Sequence, residues 1–152
     1  MSFASGSGRI RWFKLSEKVP PPTELAPGVG DAVPIVFLVQ PIGVFNLNPG
    51  ENVCVLITVK DGSGHVRQAA SSSLNSIDRD ALNGYGTFDY LRINEAGTYN
   101  LEVRVMFTGD SGPVAASDAI RYSISVSAAA RAREKPGGLL SIIFTSFWSC
   151  SA

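Results

Sequence analysis

The stretch GTYNLEVRVMF, residues 97–107, alternates apolar and polar side chains along its length. Asn100, Glu102 and Arg104 stand between the apolar residues. A period of two residues predicts a β-strand with one buried and one solvent-facing side, because successive side chains of a strand point to opposite faces. The inward set predicted here is Tyr99, Leu101, Val103, Val105 and Phe107.

Four other stretches carry strand patterns. IRYSISV at 120–126 alternates in the same way, and so do residues 53–59 of NVCVLITVKDGSGHV. VPIVFLVQ at 33–40 is continuously apolar, which is compatible with a buried strand, and TFDYLRI at 87–93 is a fifth candidate.

Turn-forming segments separate these stretches: DGSG, NPGE, NEAG and GDSG. No stretch before residue 139 has a convincing helical period. Strands at this spacing, joined by Gly-rich turns, predict an all-β fold, an immunoglobulin-like (Rel-like) β-sandwich over residues 33–128.

The length of 152 residues, with 45% apolar and 17% charged residues, is typical of one globular domain. Two distant cysteines and one histidine predict neither a disulfide framework nor a metal site. The first residues show no secretion signal, and the apolar run at 139–150 is shorter than a membrane span. We therefore expect a soluble intracellular protein with no membrane partner.

The zero net charge hides an uneven distribution. Residues 1–22, a predicted basic N-terminal arm, carry four cations against Glu17, a net of +3. Arg131, Arg133 and Lys135 against one acid give +2 within the segment 129–152, a basic Pro-Gly stretch with an apolar tail. The remainder carries −5, so basic ends flank an acidic body and anionic partners are expected to meet the ends.

Residues for catalysis are few. His65 is the single histidine and stands beside the DGSG turn, where a solvated role is the simpler interpretation. Asp78 and Asp80 alternate in a polar loop without further ligands at calcium-loop spacing. We therefore expect no enzyme activity, no cofactor and no small-molecule substrate.

Two segments resemble the velvet domain, a family of fungal regulators. SSSLNSIDRDALNGYGTFDYLRINEAGTYNLEVRVMF and ASDAIRYSISVSAAARAREKPGG follow the family's order of a Ser-Leu segment, an acidic loop, an aromatic strand, a Gly-x-Tyr-x-Leu strand and a Ser-Asp strand before a basic Pro-Gly stretch. The matching positions are Phe88, Leu91, Gly97, Tyr99, Leu101, Ser117, Asp118, Pro136 and Gly137.

The N-terminal stretch GRIRWFKLSEKVPPP is also similar to the start of velvet domains, which have an Arg-x-Arg pair, then Glu-Lys, then prolines. The resemblance implies DNA contacts for Arg9, Arg11 and Lys18; Lys14 is added on charge alone. Arg131, Arg133 and Lys135 are candidates for a secondary contact. The resemblance also implies a DNA-binding regulator that pairs with itself or a second velvet-like subunit in the nucleus, with the cytoplasm as the other location.

A second resemblance covers the same core. QPIGVFNLNPGENVCVLITVKDGSGHV and GTFDYLRINEAGTYNLEVRV are similar to bacterial immunoglobulin-like repeats of adhesins and wall proteins. This alternative implies a binding or structural module of a surface protein and leaves the basic arm unexplained.

The aromatic residues of the two ends are open to two interpretations. Trp12 and Phe13 either hold the arm against the sandwich or are ordinary core residues of an edge strand. Phe144, Phe147 and Trp148 of the tail either cover a sandwich face or a partner subunit, or are disordered in the monomer.

Overall fold

The computed structural model describes residues 12–43, 47–78, 83–110, 112–130 and 149–150. Every regular element in these ranges is a β-strand, so the predicted all-β class is confirmed. The strands are β1 (Trp12–Val19), β2 (Glu24–Leu25), β3 (Ile35–Ile42), β4 (Asn52–Lys60), β5 (Val66–Ser73), β6 (Asn75–Asp78), β7 (Asn83–Phe88), β8 (Gly97–Gly109), β9 (Gly112–Ala115), β10 (Ile120–Val126) and β11 (Ser149–Cys150). None of the described residues forms a helix long and apolar enough to span a membrane.

The strands form two sheets. The smaller sheet has four strands in the order β1-β3-β7-β6. The larger sheet runs β11-β5-β4-β8-β10-β2, with β9 paired to β8 beside this path. Neighbouring strands are antiparallel except β2 and β10, which are parallel. The order agrees with a β-sandwich, in which two sheets face each other.

One apolar core lies between the sheets. Phe37 and Phe88 enter it from the smaller sheet, while Ile57, Leu101 and Ile124 enter it from the larger sheet. Along β4 and β8, buried residues alternate with partly exposed ones over most of each strand. The inward residues predicted from alternation are thus confirmed, with Val53, Phe107, Ile120 and Tyr122 only partly buried.

The predicted strand at 87–93 is wrong in its bounds. β7 ends at Phe88, and Tyr90 has a φ of 63°, which does not continue a strand. Leu91 and Ile93 are buried nevertheless, and their carbonyl oxygens accept hydrogen bonds from the N–H groups of Asp31 and Gly28. Their apolar character therefore reflects a buried loop, which sequence patterning does not distinguish from a strand.

A tyrosine fixes the loop that leads from β7 to β8. Tyr99, near the start of β8, is buried, and its hydroxyl donates a hydrogen bond of 2.8 Å to the carbonyl oxygen of Glu95. Burial, and then the nearby charge of Glu95, raises the pKa of this hydroxyl. The bond ties the loop to the strand that follows it.

The two sheets approach each other closely where Gly86 of β7 faces Val55 of β4. A Cβ atom built on Gly86 would lie 2.5 Å from Cγ2 of Val55, far inside normal contact. Val55 is fully buried, so it has little room to move. The absence of a side chain at residue 86 is therefore a condition for the observed packing.

We expect Gly86→Ala to lower the free energy of unfolding by about 1–3 kcal/mol, the usual cost of overpacking a core. The change is measured as a shift in the urea midpoint. Gly62→Ala is the matched control, because a Cβ there meets nothing within 4 Å. A Gly86→Ala protein as stable as the control would contradict the close approach of the sheets.

Candidate nucleic-acid interface

The structure describes two of the seven cations predicted to contact DNA. Lys14 and Lys18 both lie on β1 and are exposed. The other five lie outside the described residues: Arg9, Arg11, Arg131, Arg133 and Lys135.

From Trp12 onward, the basic stretch belongs to the smaller sheet. β1 pairs with β3 from Trp12 opposite Ile42 to Val19 opposite Val36. Phe13 is 1% exposed, and its N–H donates a 2.8 Å hydrogen bond to the carbonyl oxygen of Ala116. Phe13 is therefore a core residue of an edge strand, one of the two interpretations left open by the sequence.

The two lysines occupy different backbone environments. Lys14 pairs in regular register with Gln40, whereas the register shifts between Glu17 and Val19, so that Lys18 is the extra residue of a β-bulge. Four residues of strand separate them by about 13 Å. Both ammonium groups are thus held on a rigid strand, and the bulge sets the direction of the second one.

Glu17, the one acid of residues 1–22, connects the two sheets. The Tyr122 hydroxyl donates a 2.7 Å hydrogen bond to Oε1 of Glu17. The Tyr122 ring lies tilted against Phe37, with 6.2 Å between ring centroids. Burial, together with the bond to the Glu17 carboxylate, raises the pKa of Tyr122. Glu17 therefore fixes β1 to β10 across the open side of the sandwich.

A hollow of about 170 Å³ lies beside this connection. We call it the β1–β10 hollow; its lining residues are Trp12, Phe13, Lys14, Leu15, Ile42, Asp118 and Ile120. Most of this lining is apolar, and its one cation and one acid have opposite charges. Lys14 therefore shares the hollow with Asp118, a neighbour that sequence patterning gave no means of finding.

On this side, β1 is the edge strand of the smaller sheet. Phe13 directs its N–H away from β3, and in an antiparallel pair every second residue does the same. The N–H and carbonyl of Leu15 therefore point outward from the edge as well. An open strand edge next to an apolar hollow is able to accept another extended segment.

The remaining sequence candidates lie apart from this region. His65 is in the turn between β4 and β5, where its N–H and that of Ser63 donate to Oδ1 of Asp61. These bonds, led by that from His65, lower the pKa of Asp61. Within the described ranges, no three His, Cys, Asp or Glu side chains are grouped to hold a metal. Asp80 lies outside the described residues.

No family model matches the chain, and no curated protein matches it either. The resemblances to velvet domains and to immunoglobulin-like repeats therefore stay predictions.

We expect Tyr122→Phe to lower the free energy of unfolding by about 1 kcal/mol, because the Glu17 carboxylate loses its donor. Tyr85→Phe removes a hydroxyl for which the described residues provide no hydrogen-bond partner, and it serves as the control. Because the folded-state pKa of Tyr122 is raised, the wild type loses stability as the pH rises above about 10, and the variant loses less. Urea titrations at neutral and alkaline pH measure both effects; equal losses in the two variants would refute the role of the bond.

Proposed function

We propose that this protein is a non-enzymatic, velvet-like transcriptional regulator with an immunoglobulin-like (Rel-like) sandwich. It binds DNA through basic residues of its N-terminal stretch and acts as a homodimer or heterodimer in the nucleus. The observation that carries this proposal is the placement of Lys14 and Lys18 as exposed side chains of a fixed edge strand.

Strand order supports the immunoglobulin-like topology. Taking β1, β3, β7 and β6 as strands A, B, E and D gives the ABED sheet, and β4, β8 and β10 then occupy the places of C, F and G. Tyr99 near the start of β8, bonded back to Glu95, corresponds to the tyrosine corner of such domains.

Electrostatics supports a polyanionic partner. Glu17 is the sole acid of residues 1–22, and its carboxylate already accepts the Tyr122 hydroxyl. Glu17 is thus the one acid that offsets the four cations of this stretch, and Lys and Arg neutralise phosphates with release of counterions.

The second basic stretch begins near the same end of the sandwich. The N–H of Ser127 bonds to the carbonyl of Leu25 in β2, and β2 follows β1 by a short Pro-rich connection. The described chain continues to Ala130, directly before Arg131. The proposal includes Arg131, Arg133 and Lys135 of this stretch as a secondary contact for the same DNA.

A dimer follows from the size of the electrostatic contribution. Four phosphate contacts give a slope of about −3 to −4 in log K against log salt, which is modest beside larger DNA-binding proteins. Two subunits would double the number of contacts. Sedimentation with and without DNA measures the stoichiometry, and a 1:1 complex with duplex DNA at saturating protein would contradict the dimer.

We expect the change of Arg9, Arg11, Lys14 and Lys18 to Ala to weaken duplex binding by roughly 100-fold or more at low salt and to flatten the salt slope by about 3. Fluorescence anisotropy across a salt series measures both. Arg67→Gln with Arg92→Gln is the control for general loss of charge, because Arg67 is paired with Asp61 and Glu95 near the turn between β4 and β5.

No binding at low salt by the folded wild type, tested alone and with a candidate partner subunit, would refute the DNA-binding proposal. Equal losses in the arm variant and the control would show that binding depends on overall charge and not on the N-terminal stretch.

A second candidate function is an immunoglobulin-like binding or structural module of a surface or adhesion protein. The open edge of β1 beside the β1–β10 hollow favours it, because a partner strand could pair with Leu15 and insert an apolar side chain next to Ile42 and Ile120. A folded protein that binds no DNA, in a gene with a secretion signal or tandem repeats, would favour this candidate.

A further inference from the structure

Four charged side chains meet on the outer face of the larger sheet. Glu102 of β8 lies at the centre: its Oε1 is 2.8 Å from Nη2 of Arg104 and 3.9 Å from Nζ of Lys60. Its Oε2 is 3.1 Å from both Nε and Nη2 of Arg121. We call these four residues the Glu102 cluster; they come from the adjacent strands β4, β8 and β10.

One carboxylate shared by three cations leaves a net charge of +2 in the cluster. Partial burial alone would raise the pKa of Glu102, but the charges of Arg104, Lys60 and Arg121 and the bond from Arg104 outweigh it and lower the pKa. Glu102 is therefore ionised near neutral pH, and the excess positive charge is permanent there.

The cations remain accessible to a partner. The side chain of Arg121 is 69% exposed, whereas that of Glu102 is 17% exposed. Glu102 lies beneath the cations, which screen its charge from a molecule approaching the sheet.

The outward residues around the cluster on β4, β8 and β10 are uncharged, and apolar Leu56 stands opposite Arg104. Thr58 and Arg121 stand opposite Glu102 in one row across the sheet, and Lys60, Asn100 and Ser123 form the next row. Among the outward residues of these three described strands, Glu102 is the sole acid. The cluster is thus a positive face within residues 23–130, which carry six basic and eleven acidic residues.

The span of the cluster suits a nucleic-acid backbone. β4 and β10 lie two strand spacings apart, about 10 Å, a distance over which duplex DNA carries roughly six phosphates. β10 also carries Ile120, which lines the β1–β10 hollow together with Lys14. The cluster and Lys14 therefore lie near the same edge of the sandwich.

We propose that the Glu102 cluster is a second phosphate-contacting surface for duplex DNA, with Lys60, Arg104 and Arg121 as the contacting side chains and Glu102 as a residue that positions and moderates them. This inference rests on the proposed DNA-binding function. If the cluster were an ion-pair network that only stabilises the sheet, Glu102→Gln would weaken DNA binding or leave it unchanged.

The experiment measures duplex binding across a salt series for three proteins: wild type, Lys60→Gln with Arg121→Gln, and Glu102→Gln. For the double variant we expect roughly tenfold weaker binding at low salt and a slope flatter by about 2. For Glu102→Gln, which keeps the side-chain shape but removes the opposing charge, we expect about threefold tighter binding and a steeper slope. Arg67→Gln with Arg92→Gln again controls for net charge, and urea titration establishes that each variant is folded.

The outcomes separate the two proposals. Absence of binding by the wild type overturns the DNA-binding function itself. Binding by the wild type with an unchanged slope in the double variant overturns the surface proposed here and leaves the N-terminal contacts standing. Weaker or unchanged binding by a folded Glu102→Gln protein assigns the cluster to stability alone.

Discussion

The pairing of β4 with β8 is the constraint on which the rest of the structure depends. The ladder runs without a register shift from Asn52 opposite Thr108 to Lys60 opposite Asn100. Because side chains alternate between faces, a slip of one residue would expose Val55 if β4 moved, or bury Glu102 if β8 moved. The same register therefore determines which residues form the hydrophobic core and which form the charged outer face. Burial of the apolar face, at about 25 cal/mol per Å², makes any other register costly.

Sequence patterning predicted the parts of the fold that this ladder governs. The alternation in residues 97–107 and 120–126 fixed both the strand type and the inward side chains, because one buried face leaves a signal of period two. β1 left no such signal: Trp12 and Phe13 are adjacent, charges occupy residues 14, 17 and 18, and a bulge interrupts the period. The strand predicted at 87–93 was wrong because Leu91 and Ile93 are apolar and buried but lie in a loop.

For the candidate sites, too, the sequence predicted which residues face solvent but not which residues meet. The sequence placed Glu102, Arg104 and Arg121 on solvent-facing positions, but it could not show that Lys60 shares the same carboxylate. Such a meeting depends on the register of strands far apart in the chain, which alternation within one strand does not contain. The partners of the N-terminal stretch were missed for the same reason: Tyr122 bonds to Glu17 across 105 residues of sequence.

Placing the basic stretch on a strand changes the energetics expected of it. A free arm must be ordered when it binds, at roughly 1–2 kcal/mol per residue of backbone, whereas β1 is ordered in advance by its ladder with β3. In the proposed complex, Lys14 and Lys18 would therefore approach a phosphate with only side-chain entropy to lose. Because their positions are fixed, the proposal requires the edge of the sandwich itself to face the DNA.

In the proposed phosphate-contacting surface, the charge of Glu102 stabilises the fold but reduces the attraction of the neighbouring cations for phosphate. Its folded-state pKa is depressed, so its contribution to stability is present above the unfolded pKa of about 4.3 and is lost as the pH falls through the folded value. Ionised Glu102 holds three cations in place against their mutual repulsion, and the same charge subtracts from their attraction for phosphate. An uncharged residue at this position would shift that balance toward binding, and an apolar one would leave the cations without a hydrogen-bond acceptor. Glutamate at position 102 is thus the choice that keeps the face both folded and positive.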